Sequence, residues 1–301
     1  MRVLVVRAGA LGDVLLLRRA TAALRHGGHE PVLLAPRSVA TALVGPGPSE
    51  VHSVLEMDGP WLAAVLSGNE EALHVLDGFD AALAVTRSVA LLERLAQRIP
   101  LLLVRDPQPK GEHASLWAAA PLAALDCLVS PDPPPSVVPT REEEDASRQV
   151  VRHLDGSFLA IHPGSGSPKK NWPPQAYAEL VRRISNGRPW LLVRGPAEAG
   201  AECPLEDLPG AVPVTDWPLR PLGALLSHAR LFVGGDSGVS HLAAAWGAPV
   251  LALFGPTDPS LWAPVGRNVE VLESATSRME DLSVDTVVAS ALDRDRSIPF
   301  E

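Results

Sequence analysis

Short apolar runs recur along the chain at "RVLVV", "PVLLA", "VHSVLEM", "AALAVT" and "PLLLV", and again at "FLAIHPG", "PWLLVRG", "LFVGG" and "APVLALFG". Each is too short for a helix of ordinary length, and turn formers break the chain between them, so each reads as a strand. Between them, segments such as "SVALLERLAQRI" and "PPQAYAELVRRI" carry apolar positions at helical spacing. The opening is a βαβ unit: strand "RVLVV", turn "RAGALGD", an apolar helix running through Arg25, strand "PVLLA". The rhythm predicts α/β architecture.

One segment interrupts it. In "LVSPDPPPSVVPTREEEDA", Leu128 to Ala146, the prolines block both helix and central strand, and the acids that follow open a helix. It reads as a linker between two Rossmann-like domains that face each other across a cleft. The expected division is an N-terminal Rossmann-like domain over 1–140, a C-terminal Rossmann-like domain over 141–285, and a tail over 286–301 whose helix packs back on the first domain. A chain of 301 residues gives each half a core of its own.

Composition narrows the function classes. With 46% hydrophobic and 20% charged residues the chain is globular in type. No apolar run reaches the roughly 18 to 20 residues of a membrane-spanning helix. The start "MRVLVVRAGALGD" lacks the uninterrupted apolar centre of a signal peptide. Cys127 and Cys203 have no metal spacing and form no disulfide framework, which fits packing residues in a reducing cytoplasm. A formal charge of −9 argues against a nucleic-acid partner, because phosphate neutralisation needs clustered Lys and Arg. Arg18, Arg19 and Arg25 on the first helix read as a solvated face, with a surface for an anionic acceptor or a membrane as the alternative.

Three stretches carry chemistry. In "RAGALGD", Gly9 and Gly12 are too close for a dinucleotide fingerprint, which excludes a plain NAD site. Asp13 stands where a helix N-cap belongs, and also at the carboxyl edge of the first strand, where ligands bind in open α/β sheets. In "IHPGSGSPKKNWPPQAY", small residues let the backbone approach an oxyanion while lysine supplies a point charge, a pyrophosphate cradle without Walker A spacing. There His162 reads as a hydrogen-bonded histidine at a strand end and Trp172 as core. In "LFVGGDSGVSHLAAAWGAPVLALFGPTDP", Asp236, Ser237 and Gly238 form a strand-to-helix turn with His241 one turn on, and the flanking glycines bare the backbone for phosphate.

Taken together, "GDVLL", "HPGSGSPKKNWP", "GPAE" and "GGDSGVSHLAAAWGAPVLALFGPTDP", in that order over nearly the whole chain, resemble glycosyltransferase family 9, the lipopolysaccharide heptosyltransferases. The resemblance implies a GT-B fold and sugar transfer from an ADP-heptose-type nucleotide sugar, with inversion, without metal and with no other cofactor. It gives Asp13 the part of base and Lys170 that of holding donor phosphate. Ser165 and Gly166 fall in the phosphate loop, Glu198 near the ribose, and Asp236, Ser237, Gly238 and His241 in the donor-binding turn. Trp217 falls near the base-packing position, with a place in the core as the alternative. The likeness is thinnest between Val39 and Leu125, so the saccharide or glycolipid acceptor is open, and Arg37, Arg87, Arg105 and Lys110 are candidates for it. A cytoplasmic enzyme is implied, with peripheral contact at the inner membrane face. The competing readings are another GT-B nucleotide-sugar enzyme, such as an epimerase, and a non-catalytic nucleotide-sugar binder. Asp13 argues against the binder, which needs no acid outside its donor site.

Overall fold

The computed structural model describes residues 1–154, 158–195, 198 and 202–297, with side chains as far as Arg294. Contacts divide the chain into two units, Met1–Val138 and Pro139–Glu301. Each is built on one sheet whose strands all pair in parallel.

In the first unit β1 (Arg2–Arg7), β2 (Glu30–Ala35), β3 (Ser53–Glu56), β4 (Ala81–Val85) and β5 (Leu101–Arg105) lie in the order β3-β2-β1-β4-β5. The chain steps outward from β1 to β3, then returns to start again at β4. Order therefore reverses between β1 and β4, and the crevice where such sheets bind ligands opens after Arg7 and Val85. Residues 3–6 of β1 are wholly buried because helices cover both faces of the sheet, which is why the run is apolar throughout instead of alternating. On one face Leu4, Val6, Val32, Leu34, Ala82 and Ala84 pack with Leu91, Leu95 and Ile99. The helix expected through Arg25 is in fact two, Leu11–Leu15 and Arg18–His26.

In the second unit β6 (Phe158–His162), β7 (Trp190–Arg194), β8 (Ala211–Thr215), β9 (Ala229–Gly235), β10 (Val250–Phe254) and β11 (Val269–Glu273) lie in the order β11-β10-β9-β6-β7-β8. Here the reversal falls between β6 and β9, after His162 and Gly235. Its core gathers Ile161, Trp172, Tyr177, Trp190, Leu192, Val233 and Leu253. Trp172 meets Tyr177 edge to face with centroids 5.0 Å apart, and its Nε1 donates to the Leu282 carbonyl at 2.9 Å. β8 and β11 have no counterpart among the strands expected from the apolar runs. Both are edge strands with half-exposed residues, and β8 contains Pro213, so neither shows a continuous apolar run.

The prolines between the units do not form a free tether. Proline has a carbonyl but no N–H, so a proline run leaves acceptors that need donors from elsewhere. Arg18 supplies them to Pro134 and Pro135, and Arg19 to Ser130 and Asp132. Ser49 Oγ also donates to the Pro135 carbonyl at 2.9 Å, and the buried Glu50 carboxylate takes the Val138 N–H at 3.1 Å. The solvated face expected of this helix is thereby corrected: Arg18 and Arg19 are 2% and 7% exposed. Burial pulls the Arg18 guanidinium down to about 10, against the pull of Glu50, and it is still cationic at neutral pH. Arg25 alone of the three is half-buried at the surface, its Nη1 2.8 Å from His52 Nε2.

Beyond Val138 the chain enters the helix Arg141–Val151 through a capping box, Thr140 with Glu143. Glu143 also receives both Arg220 Nε at 2.6 Å and Nη2 at 3.1 Å, tying this helix to Leu219–Ser227. The tail helix Val284–Ser297 packs along Pro174–Ile184 of its own unit, placing Val287, Val288 and Ala291 in the core. Residues 298–301, the end of the tail expected to reach the first domain, lie outside the described residues.

Candidate functional site

All the strands of each sheet run the same way, so every residue that follows a strand end lies along one edge. In the first unit that edge carries Arg37 after β2, Asp13 after β1, Arg87 after β4, and Arg105 with Lys110 at and after β5. Asp13 does not occupy the N-cap expected of it. Ala10, with extended backbone, holds that position, and Asp13 is the third helical residue, its Oδ2 accepting the Ala10 N–H at 3.0 Å. Its Oδ1 takes the guanidinium Nη2 of Arg7, the last residue of β1. Gly9 is what admits this arrangement, since a β-carbon there would stand 2.6 Å from Asp13 Oδ2. Asp13 keeps a quarter of its side chain open to solvent, whereas Arg7 keeps 8%.

The basic candidates differ in how far they are already committed. Arg87 Nε meets both oxygens of Asp106 at 3.0 Å, and that bond holds the Asp106 carboxyl below its usual range. Arg105 lies over the Trp117 ring, 4.4 Å from its centroid. Arg37 is exposed and paired with Glu56, while Lys110 is exposed.

In the second unit the reversal point brings three strand ends together. β9 ends at Gly235, Asp236 follows, and Ser237 caps the helix Gly238–Ala245 by accepting the Ser240 N–H at 3.3 Å. Lys170, in the 3-10 turn Pro168–Lys170 after β6, places Nζ 2.7 Å from Asp236 Oδ2. Thr257, after β10, donates its hydroxyl to the same oxygen at 2.8 Å. Gly235 permits the approach of this turn: a β-carbon there would stand 2.9 Å from the Lys170 carbonyl oxygen. An ammonium has three donors, so Lys170 keeps two after serving Asp236. With the amide N–H groups of the helix N-terminus they make an edge suited to an anion.

The remaining candidates line the same edge. Ser165 Oγ is 2.7 Å from the Ser167 carbonyl and 2.6 Å from the Asn171 amide oxygen, so the loop is braced through that hydroxyl. Gly166 is exposed with open space where a side chain would stand. Glu198, past the end of β7, accepts the Gly195 N–H at 2.6 Å, and its carboxylate fills the space a β-carbon on Gly164 would need. Pro196 and Ala197 of the "GPAE" stretch lie outside the described residues. Trp217 is half-buried between β8 and the next helix, outside the core. His241 is buried in the Gly238–Ala245 helix. His162 stands at the end of β6, where its Nδ1 donates to the Val193 carbonyl at 3.0 Å; burial pushes the ring below its ordinary range, against a smaller upward pull from that bond and from Glu198.

Two participants were missed from sequence, Arg7 and Thr257. Both lie inside stretches that were singled out, "RAGALGD" and "GPTDP", and only the packed structure reveals their partners. Among the described residues no three His, Cys, Asp or Glu side chains gather as a metal site, and no helix is long and apolar enough to cross a membrane.

The family model described as glycosyltransferase family 9 (heptosyltransferase) matches residues 108–290. The chain is 31% identical over 140 residues to lipopolysaccharide heptosyltransferase 3 of Escherichia coli K12, a match covering 42% of this chain and 40% of that protein. It is 34% identical over 116 residues to lipopolysaccharide heptosyltransferase 1 of Pseudomonas aeruginosa, covering 37% and 32%. The match thus spans about two-fifths or less of these curated relatives. Among solved structures, a glycosyl transferase family 9 protein from Veillonella parvula superposes with a TM-score of 0.83 at 17% identity, covering 99% of this chain and 97% of that one. E. coli heptosyltransferase WaaC with ADP superposes at 0.77 and 18% identity, covering 98% and 100%. At such identities the likeness establishes the fold alone, two Rossmann-like units of the GT-B type.

Proposed function

Since the chain belongs to glycosyltransferase family 9, the heptosyltransferase family, we propose that it moves a sugar from a nucleoside diphosphate donor to a saccharide or glycolipid acceptor. The donor is ADP-heptose and the transfer inverts the anomeric centre without a metal. The observation that carries this reading is the junction of Lys170, Asp236 and Thr257 beside a helix N-terminus, where donors for an anion converge at the reversal point of the second sheet. E. coli heptosyltransferase WaaC, similar in fold, has been solved with ADP and with ADP-2-deoxy-2-fluoro heptose, which supports the choice of donor.

In this mechanism the acceptor hydroxyl oxygen attacks the anomeric carbon and its proton passes to the Asp13 carboxylate. The bond from that carbon to the diphosphate breaks, and the electron pair leaves with the nucleoside diphosphate. Lys170 and the amides following Ser237 take up the charge that develops on the leaving group. Asp236 holds Lys170 in place and presents its other oxygen to the donor sugar. Ser165 and Gly166 shape the phosphate loop, Glu198 meets the ribose, and Trp217, half out of the core, packs on the base. Lipopolysaccharide core is the first acceptor to try. The reaction belongs in the cytoplasm, where Cys127 and Cys203 stay thiols, with peripheral contact at the inner membrane for a lipid-linked acceptor.

The test is to incubate the protein with ADP-heptose and heptose-deficient lipopolysaccharide, with and without chelator, and to weigh the products. Heptose added to the acceptor at equal rates in both is the expected result. Epimerised donor would indicate an epimerase, unchanged donor a binder, and rescue of chelated activity by magnesium or manganese would remove the metal-free mechanism.

A further inference from the structure

Arg7 is used by nothing in the mechanism above, yet its setting is unusual. It is the last residue of β1, at the reversal point of the first sheet, and only 8% of its side chain reaches solvent. One of its terminal nitrogens, Nη2, is bound to Asp13. The other, Nη1, is buried and has no hydrogen-bond partner among the described residues. A buried guanidinium N–H without a partner is costly, and such groups are rare unless something meets them. The crevice between β1 and β4 is where a ligand of this sheet would do so.

We infer that Arg7 is a positioning residue for Asp13 and that its Nη1 donates to an oxygen of the acceptor. This rests on the reading of Asp13 as the base. The carboxylate is held from two sides, by Arg7 on Oδ1 and by the Ala10 N–H on Oδ2, over a glycine that leaves no room for a side chain. The planar fork of arginine explains why the two tasks fall to one residue: one nitrogen fixes the carboxylate while its twin points to a neighbouring acceptor. A hydroxyl next to the attacking one would fit that second donor. Arg7 thereby selects among acceptors, and Asp13 takes the proton.

Four variants and one spectrum test this. With ADP-heptose and heptose-deficient lipopolysaccharide, Arg7→Met should lower kcat about 10²-fold, the scale of a misplaced reacting group. ADP affinity should stay at the parental value, because the donor residues lie in Pro139–Glu301, and parental amide spectra of the Met1–Val138 unit report that the variant is folded. Added to Asp13→Asn, Arg7→Met should cost little further kcat, since it acts through the group already lost. Arg7→Lys keeps the charge and should return kcat to within a few-fold, while raising the acceptor KM about tenfold because one donor of the fork is gone. In the free protein, nitrogen-15 spectra should give Arg7 separate, slowly exchanging Nη signals that collapse in Asp13→Asn, unlike those of exposed Arg37.

Parental kcat in Arg7→Met alongside a crippled Asp13→Asn would overturn the positioning role and leave the base assignment standing. If both variants keep parental kcat, the base assignment itself is wrong. A parental acceptor KM in Arg7→Lys would remove the second contact. Should lipopolysaccharide not be used at all, averaged Nη signals for Arg7 would still refute the clamp.

Discussion

The two reversal points invite comparison, because each pairs an aspartate at a helix start with a basic side chain. In the first unit Arg7, Gly9 and Asp13 come from one stretch of chain, and the charged partners are six residues apart. In the second the strand-end residue is His162, an uncharged ring bound to a carbonyl, and the aspartate answers to partners 66 and 21 residues away, Lys170 and Thr257. The first is a local device that exists as soon as β1 and its turn form. The second exists only once β6, β9 and β10 lie side by side. The proposed function fits this difference: a group that moves a proton needs one well-held atom, whereas a cradle for an extended donor needs contacts from several directions.

The sharpest way to break the comparison is Asp13→Asn. Asparagine preserves the shape but cannot accept a proton, so turnover should fall about 10² to 10⁴-fold, with ADP affinity unchanged by calorimetry. Turnover within a few-fold of the parent would reduce the first edge to helix-end chemistry. Next in size is Lys170→Ala. The loss of a charged hydrogen bond of about 1.5–3 kcal/mol should weaken ADP roughly 10 to 10²-fold, and adenosine much less; equal losses for both ligands would deny the lysine its phosphate.

His162 sharpens the comparison from the side of stability. The unfolded imidazole protonates near its ordinary value of about 6.5, while burial holds the folded one below it. Between those two values the unfolded chain binds the extra proton, so stability is complete above about pH 6.5 and is lost as pH falls through that window. One proton sets the ceiling, about 1.4 kcal/mol per pH unit. His162→Gln keeps a donor and cannot charge, so denaturant melts at about pH 7.5 and 5.5 should differ less for this variant than for the parent. An unaltered difference would mean that His162 titrates alike in both states.

Much of this was legible in the chain, and the exceptions have a common cause. Apolar runs marked nine strands because buried parallel strands need no polar alternation, but the edge strands Ala211–Thr215 and Val269–Glu273 lack that mark. The turn at Asp236 was readable from its glycines, although the cap is Ser237 and not the aspartate, and Trp172 fell in the core as its residue type suggested. Arg18 and Arg19 looked solvated because a sequence shows charge and not the backbone carbonyls of the proline-rich segment, more than a hundred residues on, that receive it. Asp13 was placed at the wrong helical position because Ala10, a poor capping residue, starts the helix. Thr257 could be quoted but not assigned, since its partner lies on another strand end.

The strapped linker bears on how such chains can be recombined. Because Arg18, Arg19, Ser49 and Glu50 bind the segment 130–138, that stretch belongs to the first unit as much as any helix does. A chimera cut before residue 130 would strand two buried guanidinium groups in one parent and hand their carbonyl partners to a foreign module. A graft made at Pro139, just ahead of the Thr140 cap, would carry every one of these bonds with it. The exchangeable cassette therefore ends with its own clasp, and the first unit could be transplanted as a finished part.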